Sequence, residues 1–139
     1  MPEYGRALAL RFAVVYLLLL VVVGALSVLL MQFAGLKFGS ALSFVPVFGA
    51  SIDAGRRYYK LSRRRPRPSE SWRFAVLFTA ISIALSLALE VLWFGPDFRH
   101  ALSNPVVGLM MLVLSGMTLL ASWFFFRLGA KVMHEGDLS

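Results

Sequence analysis

The sequence predicts an all-α polytopic membrane protein: four transmembrane helices in one bundle, with N and C termini cytoplasmic. Three observations predict it. Of the 139 residues, 59% are hydrophobic and only 15% are charged, where soluble domains run about 45–50% apolar and about 25% charged. The apolar residues gather into runs that, at about 1.5 Å per helical residue, cross a hydrocarbon layer of roughly 30 Å. The 14 Lys and Arg, set against 7 Asp and Glu for a formal net charge of +7, crowd at one end of those runs. A water-soluble globular enzyme of this length has too little interior to hide so many large apolar side chains. The chain has no cysteine, so disulfides, thiolate metal sites and thiol nucleophiles are excluded.

The first run, 12–33, carries no charge from Phe12 to Phe33. It exceeds the 7–15 residues of a signal-peptide core, so it reads as an uncleaved first span. Gly35-Leu36-Lys37-Phe38-Gly39-Ser40 then reads as a turn. The second run, 41–59, is interrupted by Pro46, Gly49, Asp53 and Gly55; the third covers 69–94; the fourth, 105–133, opens on Pro105, where a missing N–H costs a helix nothing. No intervening stretch is long enough for a second domain, so residues 1–139 read as one. Arg6 and Arg11 precede the first span. A basic loop, 56–73, holds Arg56, Arg57, Lys60, Arg63, Arg64, Arg65, Arg67 and Arg73, and Arg127 and Lys131 end the fourth span. Only Lys37 and Arg99 fall on the opposite side. A Lys/Arg bias of this size sets orientation and places the basic end in the cytoplasm.

Polar groups inside the runs are the candidates for packing or function. Asp53 and Glu90 are intramembrane carboxylates, which cost at least about 2.5–3.5 kcal/mol at the membrane centre unless paired. Asp53 has Arg56 and Arg57 three and four residues on, within reach on one helix. Glu90, beside Trp93, is placed to reach outer water, Arg99 or His100. Pro46, with Gly49 three residues on, predicts a kink of the kind from which transporters build sites. Thr79, Ser82, Ser86 and Glu90 form one helical stripe, and Gly108, Met111, Ser115, Thr118 and Ser122 another. Ala50/Ala54 and Ser51/Gly55 are small-x-x-x-small pairs of the type that lets helices approach in lipid. In the basic loop Tyr58, Tyr59 and Trp72 fall where an aromatic belt would sit, and Pro68 and Glu70 read as the start of the third span. His100 and His134 fall on opposite sides, and no phosphate loop or base-activated serine is present. No catalytic, metal or cofactor site is therefore predicted.

From Pro46 to Trp72 the chain resembles a family of short, largely uncharacterised four-helix bacterial inner-membrane proteins. The matching features are the proline within span two, the small-residue stretch ending at Gly55, and the loop ending Arg65-x-x-Pro68-x-Glu70-x-Trp72. The resemblance implies a bacterial cytoplasmic membrane and carries no activity. Small four-span drug exporters are similar in size, but span one here lacks their central carboxylate. The expected function is a non-catalytic accessory or assembly subunit packing against a larger membrane protein complex, because four spans enclose little interior and span one is aliphatic all round. A small homo-oligomeric permease built on Asp53, Pro46 and the seryl stripes is one alternative. A protein binding anionic lipid head groups through the basic loop is the other. Nucleic acid is not expected as a partner, since no reading motif accompanies the charge.

Overall fold

The computed structural model describes residues 4–35 and 44–138. The turn at 36–40 and the side chain of Trp93 lie outside the described residues. Helix follows helix throughout: α1 (Tyr4–Ala34), α2 (Val45–Ser62), α3 (Pro68–Phe94), a short α4 (Asp97–Leu102) and α5 (Pro105–Leu138). No strand occurs among the described residues.

Sequence chemistry explains the boundaries. α1 stops at Gly35, whose φ of +63° is the left-handed conformation glycine adopts without strain. α2 has Pro46 in its first turn rather than its middle, so the predicted kink is absent: the missing N–H is one the helix would leave unpaired anyway. Its C-cap, Arg63, adopts φ 54° and donates its N–H to the Tyr59 carbonyl. Pro68 opens α3, and the Glu70 carboxylate accepts the Arg67 N–H at 3.0 Å. The basic loop thereby shrinks from the predicted 56–73 to 63–67. Arg56, Arg57 and Lys60 stand on α2, and Arg73 on α3.

Neighbours around the bundle run α1, α2, α5, α3 and back to α1. Phe12 stacks on Phe78 at 4.2 Å, and further along Tyr16 bonds Ser86 at 3.0 Å, so α1 and α3 run in the same direction. Phe48 stacks on Phe125 and the Tyr59 ring meets that of His134 edge to face, so α2 and α5 also run together, opposite to the first pair. The chain between α1 and α3 must therefore return along the bundle.

The described part of the return, α2, is not itself a fourth full span. Among the described residues three helices, α1, α3 and α5, are long and apolar enough to cross a membrane; α2 is not. It has 18 residues and carries Asp53, Arg56, Arg57 and Lys60. Its register against α1 shows how it fits. Asp53 meets Arg11, and a Cβ on Gly49 would strike Leu19. One turn further, α2 begins, while α1 continues for at least ten residues, about 15 Å or more. Asp53 is level with the last charge before the apolar run of α1, so of α2 itself only the eight residues 45–52 enter the depth of that run. The four-span expectation is corrected on this ground.

The core sits at the basic end. One ring cluster takes members from every long helix: Phe12 from α1, Tyr58 from α2, Phe74 and Phe78 from α3, and Phe126 from α5. Such ring pairs add about 0.5–1.5 kcal/mol each beyond their burial. Around them Leu8, Ala50, Ala54, Ala75 and Ala130 are fully buried. The small pairs predicted on α2 are the reason the helices close up. A Cβ on Gly55 would collide with the Phe126 carbonyl oxygen, and one on Gly129 with the Ile52 carbonyl oxygen. The other halves of the three long helices contribute little to this core. Leu18, Val21, Val22, Leu26 and Phe33 of α1, and Leu109, Leu112, Val113 and Met117 of α5, are exposed.

Candidate functional site

Charged and polar side chains concentrate around the base of the ring cluster, where four helix ends meet. The bonds there are largely between elements. Arg11 of α1 donates Nε to Asp53 of α2 at 2.6 Å and Nη2 at 3.2 Å. This replaces the expected pairing of Asp53 with Arg56 or Arg57. Asp53, like Gly49 one turn before it, meets α1, whereas Arg56 and Arg57 are exposed and make no ion pair with it.

Glu70 is the hub of the corner between α2 and α3. Tyr58 Oη donates to it at 2.9 Å, Arg64 Nη1 and Nη2 at 2.9 and 2.7 Å, and the Arg67 N–H completes the set. The hydrogen bond to Glu70 raises the Arg64 pKa above its ordinary value. Arg64 also lies over the Tyr58 ring, 5.9 Å from its centroid. Tyr58 and Tyr59, predicted as belt residues at the surface, are buried instead: Tyr58 belongs to the core, and Tyr59 meets His134 of α5, Oη to Nδ1 at 3.2 Å.

The last turns of α5, beyond the predicted end at 133, lie beside the loop. Arg63 pairs with Asp137 at 3.6 Å, Arg65 with Glu135 at 4.0 Å, and Lys131 with the same Glu135 at 3.6 Å. The described acidic residues at this end, Asp53, Glu70, Glu135 and Asp137, are thus each engaged. Arg56, Arg57, Lys60, Arg67 and Arg73 are exposed and make no side-chain ion pair among the described residues. They form the outward-facing charge. On the flank between α3 and α5, Trp72 stacks on Trp123 at 5.4 Å, and the Arg127 guanidinium lies 4.9 Å from the Trp123 ring centroid.

The candidate polar residues deeper in the bundle do not form one site. Ser82 Oγ donates to the Phe78 carbonyl of its own helix at 2.8 Å, and Ser86 closes on Tyr16. Glu90 is half-buried and makes no hydrogen bond or ion pair with Arg99, His100 or any other described residue. Pro46 is buried at the start of α2. Ser51, Thr79 and Ser122 are buried with hydroxyls that have no protein partner. Among the described residues no three His, Asp or Glu side chains group as a metal site.

Sequence reasoning missed Arg11 as the partner of Asp53, Glu70 as a hub, Gly129, and the Trp123–Arg127 pair. Only Glu70 had a local signal, its place three residues after Arg67 at a helix start. Comparisons with protein-family models, with curated protein sequences and with solved structures find no match to this chain.

Proposed function

We propose that the chain is a multi-pass protein of a bacterial cytoplasmic membrane, basic end inward, serving as a non-catalytic accessory or assembly subunit of a larger membrane complex. The orientation rests on the twelve Lys and Arg at one end, and the bacterial membrane on the loop resemblance. The observation that carries the subunit role is the one-sided packing. The core of the described residues lies at the basic end, and the far halves of α1, α3 and α5 present long apolar faces that no described helix of this chain covers. In lipid, association of such faces is driven by packing and close approach rather than by water. Gly24 on α1 and Gly108 and Gly116 on α5 leave open space where a Cβ would be, which suits close approach of foreign helices. A permease is supported less, because Asp53, Ser82 and Ser86 bond within or between the packed helices rather than standing open.

The test is photo-crosslinking in intact membranes, with a benzophenone amino acid at Leu26 or Val113 in the far halves and at Arg57 on the basic end as a control. The proposal expects one protein, in fixed ratio, to be captured from Leu26 and Val113. Capture of lipid alone at both far positions, with the chain migrating as a monomer, contradicts it. Capture of a second copy of this chain favours a homo-oligomer.

A further inference from the structure

An open groove of about 490 Å³ runs along α3, lined by Trp72, Arg73, Val76, Leu77 and Ala80. From Trp72 to Ala80 it spans eight helical steps, about 12 Å. The lining is almost wholly apolar, from Val76, Leu77 and Ala80 toward the middle of α3 to Trp72 and Arg73. Charge enters only at its basic end, where Arg73 is exposed and makes no ion pair among the described residues. Beside it Trp72 leans on Trp123, which in turn carries the Arg127 guanidinium on its face.

We propose that this groove holds one anionic diacyl phospholipid, its phosphate on Arg73 and the upper part of an acyl chain over Val76, Leu77 and Ala80. The polarity gradient matches that of a lipid in place: charge at head-group level, hydrocarbon inward. Trp72 sits at the boundary, where indoles concentrate in membranes. Charge complementarity selects the head group, because the described carboxylates at the basic end are engaged by Arg11, Arg63, Arg64, Arg65 and Lys131 and none of them reaches Arg73. A rigid site further requires that the groove wall be fixed, and the Trp72–Trp123 stack ties α3 to α5 there. The proposal rests on the membrane placement above and is independent of any protein partner.

The test is native mass spectrometry of the full chain released from nanodiscs, titrated with dioleoyl phosphatidylglycerol or dioleoyl phosphatidylcholine. Circular dichroism checks that each variant stays helical. Five forms are compared: wild type, Arg73→Gln, Ala80→Phe, Val76→Phe, and Arg57→Gln as a charge-matched control on an exposed face of α2. A basic residue near the head groups contributes about 1 kcal/mol, which converts to about five-fold in affinity. The first bound phosphatidylglycerol should weaken about five-fold in Arg73→Gln and stay unchanged in Arg57→Gln. Ala80→Phe, which fills the groove from an exposed position, should weaken both lipids. Val76→Phe repeats that block at a second exposed position. Equal losses from Arg73→Gln and Arg57→Gln would overturn the proposal in favour of diffuse surface attraction. So would full binding in both groove-filled variants, or displacement of the lipid by millimolar inorganic phosphate. Failure of the wild-type chain to enter nanodiscs would count against the membrane placement instead.

Discussion

Gly55 and Gly129 set how close α2 and α5 come, and the whole base of the bundle follows from that distance. Each faces a backbone carbonyl of the other helix, so an added methyl has no flexible neighbour to push aside. Overpacking of a tight core costs about 1–3 kcal/mol, and Gly55→Ala should lose at least that much in unfolding followed by circular dichroism in mixed micelles. Gly116→Ala, which meets open space, should lose nothing and gain up to about 1 kcal/mol from the stiffer backbone. Equal effects would mean that the close crossing is absent. Gly55 was legible in the sequence because Ser51-x-x-x-Gly55 is a packing signature. Gly129 was not, since it follows Phe124, Phe125, Phe126 and Arg127 and the residues four positions either side of it are Phe125 and Met133, neither of them small. Asp53 shows a second limit. Its partner lies 42 residues earlier, and helix spacing rules see only three or four residues along the same element.

At the scale of the element, the corner joining α2 to α3 shows a carboxylate acting on several helices at once. Glu70 caps α3 through the Arg67 N–H and ties down the buried Tyr58 hydroxyl of α2. Losing a helix cap costs about 1 kcal/mol, and leaving a buried hydroxyl without its acceptor costs about the same or more. Glu70→Ala should therefore lower stability by about 2 kcal/mol in the same unfolding measurement. Arg64→Gln should lower it much less, because half of that side chain is in water. A large Arg64 effect with a small Glu70 effect would show that the ion pair, and not the cap with its tyrosine, holds the corner. The helix start at Pro68 and Glu70 could be read directly from residue types. The end of α2 could not: eight basic residues in eighteen look like a solvated loop, yet Tyr58 and Tyr59 bury enough ring to keep the helix going to Ser62.

For the molecule as a whole, hydropathy identified the three long apolar helices, and small residues identified the faces that meet. Hydropathy also assigned a fourth span at 41–59, because Ala, Val, Phe and Leu lie before and around Pro46. The register against α1 corrects this: α2 begins part-way along α1 and carries its charges at the level of Arg11 and beyond. The result is a bundle tightly joined at its basic end and open at the other. That shape is the basis of the subunit role proposed above. The most direct test uses the absence of native cysteine, which makes any introduced thiol the sole target of a membrane-impermeant maleimide. Arg57→Cys on α2, Ser69→Cys at the start of α3 and Ser103→Cys before α5 are labelled in intact cells and again after permeabilisation. We predict that Ser103→Cys reacts from outside, and that Arg57→Cys reacts only after permeabilisation, as readily as Ser69→Cys. An Arg57→Cys thiol shielded from both sides would restore a full-length second span. Labelling of Ser69→Cys and Ser103→Cys from the same side would contradict the placement altogether.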